Sequence, residues 1–173
     1  MSNSAMSNVN NGARLIALSL LSGGAAMVTF VAVTLVKAAK AEGVAVTEAA
    51  FRNGPAFINF SYIALGAAAI LLVTELIDYM SRKKEASSGF LSKSLIVRYV
   101  SSLVCALLMI IFSVIFAMPM GKLMPTIRTD EAAHEQFDKL HNGSRIVFGI
   151  GILFGFISLV IPNSMPMRKP NDD

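Results

Sequence analysis

The residues of this chain that could do chemistry are two histidines, ten methionines and a few charges set in apolar stretches. His134 and His141 are seven residues apart, so on one helix they share a face about 10 Å apart. That is too far for both to hold one metal ion at about 2 Å each. Two axial haem ligands must approach the ring from opposite sides, so the spacing argues against a bis-histidine haem within one chain. Asp138 stands three residues before His141 and is placed to orient its imidazole, as carboxylates do for metal-bound histidines. Ser144 follows three residues later. His141, Asp138 and Ser144 are therefore a candidate ligand or polar site for a metal, a proton or a pigment. The plainer reading makes His141 an anchor at a helix end, where a polar segment turns into an apolar one.

Met118, Met120 and Met124 cluster in "AMPMGKLMP", and Met165 and Met167 recur in "NSMPMRK". Thioethers are soft ligands suited to Cu(I). They are also common fillers of irregular gaps. Glu75, Asp78 and Arg98 are ionisable groups inside or beside apolar segments, where charge is costly and functional by default. A Glu75–Arg98 or Asp78–Arg98 pair would pin two neighbouring helices; the sharper alternative is part of an ion or proton path. Gly151 and Gly155 form a small-xxx-small pair that lets helices approach closely, with Gly23 and Gly24 as its counterpart near the N-terminus. Asn59, Ser61, Thr74 and Ser113 are suited to hydrogen bonds across helices. Cys105 is the one cysteine and reads as a small buried hydrophobe. There is no phosphate-binding glycine loop, no metal-ligand spacing and no nucleophile with a partner, so no enzyme is expected.

The elements that must position these groups are set by composition. The chain is 54% hydrophobic and only 15% charged, with a mean hydropathy of +0.62. Soluble domains run near 45–50% apolar and about 25% charged, and a domain this small leaves much of its surface wet. A bilayer is the solvent that fits, and it asks for roughly 20 apolar residues per span. Four stretches meet that length or approach it: residues 15–36, 56–79, 95–118 and 144–161. The expected fold is all-α, an integral membrane four-helix bundle in one domain over 15–163. The first stretch is longer than a signal-peptide core and is preceded by a single basic residue, Arg14, so it reads as a retained helix.

Between the spans, Gly54 and Pro55 are expected to open the second helix, and Pro119, Gly121 and Pro125 to stop the third. A short amphipathic helix is expected over about 130–141, with Thr129 as N-cap, acidic residues in its first turn and Ala133, Phe137 and Leu140 on one face. Asn142 and Gly143 would end it, and Ser144 would cap the last span. Residues 1–14, rich in Asn and Ser, read as a disordered tail, and 164–173 as a C-terminal tail.

Four spans put both termini and the middle loop on one face. Basic residues divide 8 to 7 between the faces, but the middle loop packs Arg82, Lys83, Lys84 and Lys93 beside the membrane. That density favours cytoplasmic termini. The net charge of +4 suits an anionic lipid surface, and no aromatic-and-basic stripe of the nucleic-acid kind is present.

Three stretches carry a family likeness: "MVTFVAVTL" (27–35), "MPMGKLMPTI" (118–127) and "FDKLHNGSRIVF" (137–148). In these the chain resembles the four-helix membrane proteins of unknown function typified by transmembrane protein 205, which are similar in layout to the copper-resistance D-type proteins. Phe137, His141 and Ser144 match that family's aromatic–x–x–x–His–x–x–Ser entry to the last helix. The chain departs from it at Val147 and Phe148, where an Asn is usual, and in having no tryptophan. The resemblance implies a four-span bundle, handling of a metal or small toxic solute, and a role for His141 and Ser144. Two functions are expected from the sequence: a non-enzymatic accessory subunit of a larger membrane complex, with protein partners or self-association through the glycine faces, or copper or solute transport or resistance as a homo-oligomer. Neither requires a cofactor.

Overall fold

The computed structural model describes residues 3–85 and 92–161, all of whose regular structure is helical. Four helices are long and apolar enough to cross a membrane: Ala5–Ala41, Phe51–Lys83, Lys93–Leu123 and Glu131–Val160. They are the first to fourth spans below. The protein is a multi-pass membrane protein of helical-bundle architecture. The 164–173 tail and the middle-loop residues 86–91 lie outside the described residues.

Every span runs beyond its apolar stretch at one end or both, and the sequence punctuation is overridden where packing supplies the missing support. The polar segment expected to be disordered is helical from Asn3 onward and runs into the first span. Asn10 and Arg14 tie it to the rest of the bundle, Asn10 by donating Nδ2–H to the Thr74 carbonyl at 2.9 Å. The first span ends at a turn where Gly43, at φ 81°, is the one left-handed residue among those described. Its N–H bonds the Lys40 carbonyl and that of Val44 bonds Ala39, closing the helix end as glycine C-caps do.

Pro55 does not open the second helix but sits inside the helix Val46–Glu85. The turns before it are held from outside: both Arg128 guanidinium contacts to Glu48, 2.8 and 2.7 Å, come from the chain leaving the third span. Arg128 also lies over the Phe51 ring at 4.4 Å. Pro119 likewise fails to stop the third span. The turn just before it, Phe112–Ala117, is widened to a π-helix, with the Met118 N–H reaching back to the Ser113 carbonyl, and the helix continues to Leu123. A second π-turn, Ser19–Gly24, interrupts the first span.

The amphipathic helix and the last span are one helix, Glu131–Val160, with no break at Asn142–Gly143. Asp130 rather than Thr129 caps it, its Oδ1 accepting from the Ala132 N–H at 2.9 Å. Gly143 is there for a neighbour, since a Cβ would lie 2.6 Å from Phe116 Cε1. The amphipathic face is as read: Ala133 is buried, and Phe137 and Leu140 are half-buried.

The core runs along the bundle axis. Leu18, Leu21, Ala64, Ala68, Leu71, Cys105 and Met109 are fully enclosed, and Phe60, Phe112 and Phe148 stack near its middle. Phe112 and Phe148 centroids are 4.3 Å apart. The outward faces carry the large apolar residues, among them Phe30, Leu76 and Ile146, as a lipid-facing surface should.

Candidate functional site

Burial in each helix follows a three-four spacing, and at one end of the bundle those inward stripes carry polar groups. The first span's stripe begins with Arg14 and continues through Leu18, Leu21 and Ala25. Thr74, Glu75 and Asp78 are buried on the second span, Arg98, Ser102 and Cys105 on the third, and Gly151, Gly155 and Ser158 on the fourth. Where the four stripes meet, the ionisable groups form one lattice.

Glu75 is its hub. One carboxylate oxygen, Oε1, accepts from Arg14 Nε at 2.7 Å and from Ser102 Oγ at 2.5 Å. The other, Oε2, accepts from Arg98 Nη2 at 3.1 Å. Arg98 Nη2 donates as well to Asp78 Oδ2, which also accepts from Arg82 Nε at 3.0 Å and the Tyr99 hydroxyl at 2.7 Å. Arg14 Nη2 completes the ring by donating to the Ser158 carbonyl and Oγ at 3.0 and 2.8 Å. The Ser102 and Ser158 hydroxyls are themselves 2.6 Å apart. All four spans are thereby tied at one level.

Arg98 and Arg14 are 0% and 1% exposed. Burial of such groups is tolerable because each guanidinium faces a carboxylate; a lone buried charge would be far costlier. The Arg98 guanidinium also lies 4.5 Å from the Tyr99 ring centroid, a stacking that suits arginine's weakly hydrated plane. Its Nε and Nη1 have no hydrogen-bond partner among the described residues. The lattice holds three guanidiniums against two carboxylates, a surplus of one positive charge. Chemically it is a set of buried ion pairs whose carboxylates are already engaged by arginine.

The sequence offers Glu75–Arg98 or Asp78–Arg98 as an ion pair; Arg98 bonds both carboxylates. Arg14, Arg82, Tyr99, Ser102 and Ser158 were not singled out. The available signal was register: Arg14 is spaced four and seven residues from Leu18 and Leu21, and Ser158 three residues from Gly155.

The glycines divide. A Cβ on Gly155 would run into Ser22 Oγ and come within 3.1 Å of Cys105 Sγ; one on Gly151 would meet Met109 Cε at 3.0 Å, and one on Gly24 would meet Phe60 at 3.1 Å. These three bring helices together. Gly23 does not, having open space where its Cβ would be, because it points outward. Of the four inter-helix polar residues expected, Ser113 donates to the Ser61 carbonyl of the second span at 3.0 Å, and the Thr74 carbonyl takes Asn10. Asn59 is exposed.

His141, Asp138 and Ser144 are not drawn into a site. His141 is exposed, with its ring stacked on Phe137 at 6.1 Å. Asp138 faces His134 at 3.5 Å instead of His141, because i,i+4 neighbours align better on a straight helix than i,i+3 across the expected turn. Ser144 is buried and donates to the His141 carbonyl at 2.7 Å. Nor do the methionines share a surface. Met120 is buried, Met124 packs its Cε on Gly54, and Met118 lines an outward groove with Ile58 and Tyr62. Met165 and Met167 lie outside the described residues. Among the described residues, no three of His, Cys, Asp and Glu gather as metal ligands do.

Comparison of the chain with protein-family models, with curated proteins and with solved structures found no match.

Proposed function

We propose that the protein is a non-enzymatic structural subunit of a larger membrane assembly. The observation that carries this reading is the closed lattice on Glu75: the buried ionisable groups of the first three spans are engaged with one another and, through Ser158, with the fourth, so their chemistry is used in fixing a rigid bundle. Above the lattice the interior is filled by Leu, Ala and Phe side chains. The surface available to partners is the outer face of the first span, where Ile16, Leu20, Met27 and Phe30 are exposed around Gly23. An outward glycine permits the close backbone approach that membrane helices use in association. In this reading both termini are cytoplasmic, the side favoured by the dense basic loop.

The test is Gly23→Phe. In native membranes solubilised gently, it is expected to release the protein from its complex while thermal stability stays within about 0.5 kcal/mol of wild type, as for exposed substitutions generally. A complex unaffected by both Gly23→Phe and Met27→Arg would contradict this face as the contact.

A further inference from the structure

Between the second and third spans, at the lattice end, the surface opens into a groove of about 360 Å³ lined by Leu72, Glu75, Leu76, Tyr79, Tyr99 and Leu103. We infer that this groove is a binding site for one anionic phospholipid, with an acyl chain against Leu72, Leu76 and Leu103 and the phosphate held by Lys83 and Lys93.

Three features select this occupant. The first is charge. Apart from Arg82 and Arg98, which are paired with Asp78 and Glu75, the sequence from Tyr79 to Arg98 carries three basic residues, Lys83, Lys84 and Lys93, against the single acid Glu85. The lattice beneath the groove adds no negative charge, because Glu75 and Asp78 are both engaged by arginines. Basic groups beside a membrane attract anionic headgroups.

The second is register. Leu72, Leu76, Tyr79 and Lys83 follow one another at spacings of four, three and four, a single helical stripe. Lys83 is exposed, one turn further along the same stripe and about 6 Å along the axis beyond Tyr79. Lys93 is exposed in the first turn of the opposite helix. The two tyrosines, 5.9 Å apart and edge-to-face, stand between the ammonium groups and the leucines. That is the depth at which aromatic residues mark the boundary between headgroups and chains.

The third is wall shape. Besides the Glu75 carboxylate, which arginines already engage, the groove presents branched and aromatic side chains and no glycine or alanine for close backbone approach. It suits a flexible chain better than a second helix, which favours small residues at its contact.

The chain contains no tryptophan, so a single reporter can be installed on a dark background. Leu103→Trp places it in the groove, and Leu76→Trp repeats it on the other wall. Phe156→Trp, on the exposed face of the fourth span near the lattice level, is the reference. Each variant is reconstituted as full-length protein into vesicles containing brominated phosphatidylglycerol or brominated phosphatidylcholine, and quenching is compared. The expected result is a preference for phosphatidylglycerol on the order of fivefold at positions 103 and 76, near one at 156, and reduced to the reference level by Lys83→Gln with Lys93→Gln. Equal preference at groove and reference overturns the proposal, as does a preference that survives the lysine substitutions. Reporters that neither lipid quenches also overturn it, since a protein surface would then cover the groove.

Discussion

Removing the charge of Glu75 is the sharpest perturbation available. The wild-type lattice has three guanidiniums and two carboxylates, a surplus of one. Glu75→Gln leaves the shape but raises the surplus to two, and it strips the counter-charge from Arg14 and from one side of Arg98, groups that are 1% and 0% exposed. Breaking a buried ion pair by neutralising one partner costs about 3–5 kcal/mol, roughly a hundredfold to several-thousandfold in the unfolding equilibrium. Unfolding in mixed micelles with a rising fraction of sodium dodecyl sulfate, followed by circular dichroism, reads this out. The companion variant is Arg14→Met with Glu75→Leu. It leaves two guanidiniums and one carboxylate, so the surplus returns to one, and replacing both members by apolar groups is often neutral or stabilising. The double variant is therefore expected within about 1 kcal/mol of wild type. If Glu75→Gln unfolds as wild type does, or if the double variant is no better than the single, the ion pairs are not what fixes the bundle.

Gly155→Ala is expected to destabilise by about 1–3 kcal/mol, as overpacking does, because its Cβ collides with Ser22. Gly23→Ala meets nothing and should be neutral or slightly stabilising; equal melting shifts for the two would contradict the assigned faces. The Glu48 carboxyl is held below its ordinary value of 4.5, first by the Arg52 hydrogen bond and then by Arg128. Its folded pKa is depressed, so the clasp contributes above 4.5 and is lost as pH falls through the lower folded value. Hydrogen exchange over Met124–Asp130 should therefore separate wild type from Glu48→Gln at neutral pH and converge with it in acid. Rising salt should narrow the gap as well, because the pair is partly exposed. His141→Ala removes an exposed ring that touches Phe137 and should shift stability by less than about 0.5 kcal/mol. A larger loss, or loss of a bound metal or pigment, would make His141 a ligand after all.

How much of this was legible in the sequence depended on how far each signal reaches. The four spans were plain because hydropathy over some twenty residues needs no knowledge of neighbours. Their ends were not. Asn3–Gly12 lacks apolar periodicity, yet Asn10 and Arg14 hold it helical by bonds to residues more than 60 positions away. Pro55, Pro119 and Gly143 each follow a sound local rule for ending a helix, and each is overridden: by the Glu48–Arg128 clasp, by a π-turn and by the Phe116 ring. Glu75, Asp78 and Arg98 stood out because a charge in an apolar stretch is conspicuous. Arg14 did not, since it sits where a polar tail meets the first apolar run and looks like a surface residue until the register with Leu18 and Leu21 is drawn. His141 drew attention for its place at a border, but an i,i+3 carboxylate across an expected turn is weak support once the helix runs straight through.

The most direct test of the proposed role is the composition of the native complex. The protein is extracted from its own membranes in a mild detergent, and the intact species is weighed by native mass spectrometry with its metals and small molecules retained. A defined mass containing other membrane chains at fixed stoichiometry, dissociated by Gly23→Phe, is the predicted result. A homo-oligomer or monomer on its own, above all one carrying copper or another solute, would contradict it and make the protein a transport or resistance protein.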